Sequence, residues 1–157
     1  MLLLVQSLSI ILIILADRLS KLWAVNFLEP IGKIEIVRGV FNLRYVENTG
    51  AAFSMLQGKT ILLTMIPLLA CIAMAYVLVT NKIKSRMGTW GISLILAGAI
   101  GNLIDRLFRG AVVDMFDFAV IHFPVFNVAD IAVTVGAVMF FIYVIFFYEG
   151  KTDKKDG

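Results

Sequence analysis

The sequence predicts a mainly α membrane protein: four transmembrane helices with a small β-rich excursion on one side. Of its 157 residues 61% are apolar and only 16% charged, and its mean hydropathy is +0.95. Soluble domains average ~45–50% apolar residues, and disordered chains need the opposite balance of charge and hydropathy. Four apolar runs are long enough to cross about 30 Å of hydrocarbon at ~1.5 Å per residue. The connections between those runs alternate long and short.

The first span covers residues 1–16 and stops at Asp17, with LWAVNFL (residues 22–28) able to continue the helix. No positive charge precedes it and no small-x-small cleavage site follows, so it reads as an uncleaved span. An excursion over residues 18–59 follows. Within it, Lys33 to Val46 places β-branched and aromatic runs on either side of Gly39, a hairpin pattern. Ala51 to Leu56 reads as a short helix or interfacial turn. The second span covers residues 60–80, the third 88–104 and the fourth 127–148, all within a single integral membrane domain over residues 1–157.

Four spans put both termini and the 81–87 turn on one side. That turn carries Lys82, Lys84 and Arg86, and the tail carries Lys151, Lys154 and Lys155. Dense positive charge close to span ends marks the cytoplasmic side. The remaining basic residues are scattered, with none of the clustering a nucleic-acid surface needs. One cysteine, Cys71, and one histidine, His122, leave no His/Cys metal motif, and no cofactor or metal is expected.

The acidic residues converge on the other side. Asp17 ends the first span, Asp105 and Arg106 end the third, Asp114 and Asp117 lie in the next connection, and Asp130 opens the fourth. Ionisable groups near hydrocarbon are costly unless paired, facing a wet cavity or engaged in chemistry. Asn102, Asp105 and Arg106 share a helix face, as do Asn127 and Asp130. Asp17 and Lys21 have the i, i+4 spacing of an ion pair that orients a helix end. Two carboxylates close together in a partly dry site cannot both ionise easily, which is the chemistry of an aspartic peptidase. Spacing alone leaves a second reading open, with Asp130 simply capping its helix. Ser20 and Lys21 are neighbours pointing ~100° apart, so they make no Ser-Lys dyad. A small proton- or cation-coupled transporter is the alternative, and a four-helix scaffold for partner proteins explains the spans but not the acids.

Five motifs in order carry a resemblance. They are Asp17-Arg18-Leu19-Ser20-Lys21, Glu47 to Ser54 (ENTGAAFS), Gly101 to Arg106 (GNLIDR), Val112-Val113-Asp114-Met115 and Phe126 to Asp130 (FNVAD). Together they resemble the bacterial lipoprotein signal peptidases, the type II signal peptidases. The resemblance implies a monomeric aspartic endopeptidase of the bacterial cell membrane, its site toward the extracytoplasmic face. Its partners would be membrane lipids and diacylglyceryl-modified prolipoproteins, cut just before the lipidated cysteine. It implies an extracytoplasmic β-cradle beside the four helices, Asp114 and Asp130 as the catalytic pair, and Asp17, Asn48, Gly50, Asn102, Asp105, Arg106, Asn127 and Ala129 around them. Arg18, where glutamine is usual, and Met115, where phenylalanine is common, depart from the family pattern.

The charge distribution predicts that single-cysteine reporters at Lys84 and Lys154 are labelled only from the cytoplasm and those at Lys33 and Arg109 only from outside. Labelling of Lys84 from outside would reverse the orientation.

Overall fold

The computed structural model describes residues 2–50, 60–121 and 123–148. Helix α1 spans Leu2–Trp23 and runs into a π-helical turn, Ala24–Leu28. Strands β1 (Lys33–Val37) and β2 (Phe41–Asn48) follow, then helices α2 (Thr60–Val79) and α3 (Arg86–Arg109), strand β3 (Val112–Phe118), a short 3-10 turn at Ala119–Ile121 and helix α4 (Val128–Phe146). Among the described residues, four helical segments are long and apolar enough to cross a membrane. His122, the Ala51–Leu56 segment and the polar tail lie outside the described residues.

Helix α3 is the axis of the bundle. Just over half of its most apolar stretch (56%) is buried by protein, against 11–22% for the other three spans, and it packs on each of them. The other helices turn large side chains such as Leu12, Ile61, Leu69 and Phe141 outward, where only lipid would cover them. Close approach of α3 and α4 depends on small residues. A methyl group on Gly98 would collide with the Ala129 carbonyl and the Val133 side chain, and one on Gly91 with the backbone at Gly136 and Phe140. Small residues drive such packing in lipid, where the hydrophobic effect contributes nothing between helices.

The first helix runs past Ala16, the end expected from the sequence, and the excursion begins only after Leu28. Asp17 and Lys21 face inward and neutralise one another, so their charges do not interrupt the helix. Gly110 closes α3 with φ +75°, its N–H donating to the Arg106 carbonyl at 3.1 Å, a left-handed C-cap suited to glycine.

The hairpin forms where the sequence places it, β1 and β2 antiparallel with Gly39 in the turn at φ +71°. A third strand joins it. β3 pairs antiparallel with β2, Val46 opposite Asp114 and Asn48 opposite Val112, giving the order β1-β2-β3. From sequence this stretch, VVDMFDF, reads only as part of the connection between the third and fourth spans. Its first four residues are nonetheless buried on both faces. Val113 and Met115 pack on Ala24 and Leu28 of the π-helical turn, and this small core seats the sheet on the end of α1.

Gly98→Ala is expected to force α3 from α4 and lower unfolding stability in detergent by about 1–3 kcal/mol, the usual range for overpacking. Thermal unfolding of the purified variant checks this, and an unchanged midpoint would contradict the packing described.

Candidate active site

The sheet, the loop before α4 and the ends of α3 and α4 line a cavity of about 750 Å³ with Asp114 and Asp130 on its wall. β3 presents Asp114 and the first turn of α4 presents Asp130. Three asparagines surround them, and two of these, Asn102 and Asn127, connect them. Asn48 on β2 donates to Asp114 Oδ2 at 3.1 Å, and Asn102 on α3 donates to Asp130 Oδ1 at 2.7 Å. Asn127, fully buried, splits its amide, one N–H reaching Asp114 Oδ1 at 2.6 Å and the other Asn102 Oδ1 at 3.2 Å. Its oxygen accepts from the Asp130 N–H at 2.9 Å, while the Asn127 N–H donates to Asp130 Oδ2 at 3.2 Å. That reciprocal pair is a capping box. Capping and a place on the cavity wall therefore coexist in Asp130 rather than competing.

Beneath the pair lies a buried ion cluster. Lys21 Nζ sits 2.9 Å from Asp17 Oδ2 and 2.8 Å from Asp105 Oδ2, and donates to Asn102 Oδ1 at 2.8 Å. Ammonium groups only donate, so the oxygen of Asn102 must turn toward Lys21 and its NH₂ toward Asp130. Arg18 reaches Asp105 Oδ1 at 2.6 Å and Asp17 Oδ2 at 3.4 Å. The second oxygen of Asp17 accepts from the Ala129 N–H at 3.0 Å, which holds the start of α4 against α1. Asp105 Oδ2 also accepts from the Val113 N–H at 3.4 Å, beside Asp114.

Asn48, Asn102 and Asn127 thus touch the pair, whereas Asp17, Asp105 and Ala129 act one layer below it. Arg106 lines the same cavity and donates to the Gly50 carbonyl at 3.2 Å, and the Gly50 N–H donates to Asn48 Oδ1 at 2.9 Å. Asp117 stands apart, accepting from Asn42. Neither the departure of Arg18 from the family pattern nor the pairing of Lys21 with Asp17 points to this cluster. The i, i+4 spacing of Asp17 and Lys21 marks an inward helix face, but the contact with Asn102 comes from α3 and leaves no local trace. Among the described residues no three His, Cys, Asp or Glu side chains cluster as a metal would require.

Burial, and then the neighbouring charge of Asp130, pushes Asp114 up to about 7, while hydrogen bonds from Asn48 and Asn127 oppose that rise. A carboxyl raised that far keeps its proton through the mildly acidic range and gives it up near neutral pH, in the midst of hydrogen-bond donors. Such a pair can hold a water, remove its proton with one carboxylate and deliver a proton with the other.

Four membrane-length helices with a buried and a half-buried aspartate on one cavity wall place the chain in the class of integral-membrane aspartic peptidases. Residues 9–146 match the model of the family described as signal peptidase (SPase) II. A lipoprotein signal peptidase of Clostridioides difficile is 49% identical over 138 residues, 88% of this chain and 93% of that protein. One from Clostridium acetobutylicum is 42% identical over 147 residues, 92% of this chain and 93% of that protein. A bacterial membrane enzyme solved by the in meso method superposes with a TM-score of 0.83 at 29% identity, covering 98% of this chain and 93% of that one. The chain belongs to the signal peptidase II family. These comparisons give the transporter alternative no support.

Because a raised carboxyl pKa keeps its proton up to that value, the singly protonated pair is lost as pH rises. We expect kcat/KM to fall with a midpoint near pH 7, and Asp114→Glu to move that midpoint. A flat profile between pH 6 and 9 would contradict a shared proton.

Proposed function

We propose that this chain cuts the signal peptide from diacylglyceryl-modified prolipoproteins just before the lipidated cysteine, with Asp114 and Asp130 as the catalytic pair. The observation that carries this reading is the junction itself: two aspartates from a strand and a helix end, tied by Asn48, Asn102 and Asn127, lining one cavity where the bundle meets the sheet. Orientation follows the charge argument, with both termini cytoplasmic and the site extracytoplasmic. The enzyme works as a monomer, since both carboxylates and all their named partners come from one chain.

Burial favours the proton on Asp114, and the start of helix α4 favours negative charge on Asp130. Asp130 takes a proton from water, whose oxygen attacks the scissile carbonyl, and Asp114 protonates the carbonyl oxygen. Collapse of that intermediate breaks the C–N bond and the leaving nitrogen receives a proton from the pair. Asn102, oriented by Lys21, and Asn127 hold both carboxylates through these steps. The cavity also carries an apolar flank, including Phe123, Phe126, Ile131 and Val135, suited to the signal segment and acyl chains. Each buried CH₂ contributes roughly 0.8 kcal/mol, which helps fix the scissile bond against the pair.

One assay tests the reading: purified enzyme in detergent, given one precursor with and without its diacylglyceryl group, EDTA present. The expected result is cleavage of the lipidated form alone. Asp114→Asn and Asp130→Asn should each lower turnover at least about a hundredfold while melting as folded proteins. Equal cleavage of both precursors would remove the type II assignment, and near-normal turnover by either variant would remove that residue from the pair.

A further inference from the structure

The rim of the cavity carries a charged pair that neither the fold nor the catalytic network accounts for. Arg44 on β2 lines the cavity that holds Asp114 and Asp130. Directly across the ladder stands Lys33 of β1, and both residues are exposed. Like charges in directly opposed positions destabilise a sheet. No hydrogen bond or salt bridge relieves either cation among the described residues. The nearby carboxylates are engaged elsewhere, Glu35 by the Gly39 N–H, Asp117 by Asn42, and Glu47 by Arg109 and Tyr45.

Position gives the pair a reading frame. Val46 is the register partner of Asp114, and Arg44 lies two positions before it on β2, inside the irregularity that interrupts pairing with β3 between Leu43 and Val46, so at most about 7 Å away along the strand at ~3.3 Å per residue. An extended substrate advances by the same rise, and an arginine side chain adds several ångströms of reach. A guanidinium there stands level with a residue about two to four positions from the scissile bond. The signal side of a precursor is apolar and stays with the helices, so a charged side chain at that distance belongs to the mature side. Resting on the proposed function, we propose that Arg44, assisted by Lys33, is a specificity-determining residue that recognises an acidic side chain among the first few residues after the lipidated cysteine. Arginine and carboxylate pair with paired, directional hydrogen bonds, which suits selection at a wet rim.

The test uses full-length enzyme in neutral detergent at low salt. Its substrates are lipidated precursors differing only in Asp, Asn or Lys at the second, third or fourth position of the mature segment. Wild type should favour Asp over Lys by about three- to tenfold in kcat/KM at one of these positions, mainly through KM, with the ratio shrinking as salt rises. Arg44→Gln should bring the ratio close to one and Arg44→Glu should invert it. Taking the ratio within each enzyme removes any general loss of activity, and impaired folding cannot invert a preference. An unchanged Asp-to-Lys ratio in Arg44→Glu overturns the proposal. So does a ratio that stays flat while added phosphatidylglycerol affects wild type and Arg44→Glu differently, since the pair would then bind lipid phosphate. Cleavage without charge preference leaves the peptidase reading intact, whereas no cleavage of any precursor removes both.

Discussion

Lys21 is the charge on which the site depends. An ammonium buried between membrane helices is tolerable only when its neighbours neutralise it and its donors find acceptors. Asp17, Asp105 and Asn102 do both, drawing α1 and α3 together. Arg18 supplies the second positive charge that balances the two aspartates. Removing one partner from such a cluster strands the others and typically costs about 3–5 kcal/mol. Because Asp17 also receives the Ala129 N–H and Asp105 the Val113 N–H, the same cluster positions the start of α4 and the start of β3. The two elements that carry Asp114 and Asp130 are therefore both fastened to one buried ion pair network.

Asn127 converts that fastening into chemistry. Its two amide hydrogens and its oxygen are all engaged, so its orientation is fixed without reference to a substrate. Asparagine suits this position better than an acid would, because it donates to one carboxylate while capping the helix that bears the other. A preorganised set of donors around a retained proton needs no rearrangement when charge develops.

Much of this was legible in the chain. Long apolar runs, basic connections and a glycine-centred β pattern report the spans and the hairpin because each depends on local composition. Asp114, Asp130 and the three asparagines were identifiable as candidates from their positions near span ends and from motif order. β3 was not, since VVDMFDF becomes a strand only when Val113 and Met115 find Ala24 and Leu28 and its backbone finds β2. The wider reach of Lys21 and the restraint of Arg106 by Gly50 were hidden for the same reason. Contacts between residues distant in sequence leave no periodicity to read.

The two aspartates rest on supports that respond differently to their surroundings. Asp130 moves with α4, a helix that tilts when the bilayer thins or thickens. Asp114 moves with β3, whose position is set by sheet hydrogen bonds and a small protein core. The amides of Asn102 and Asn127 are the joints at which a helix seated in lipid and a strand seated in protein meet.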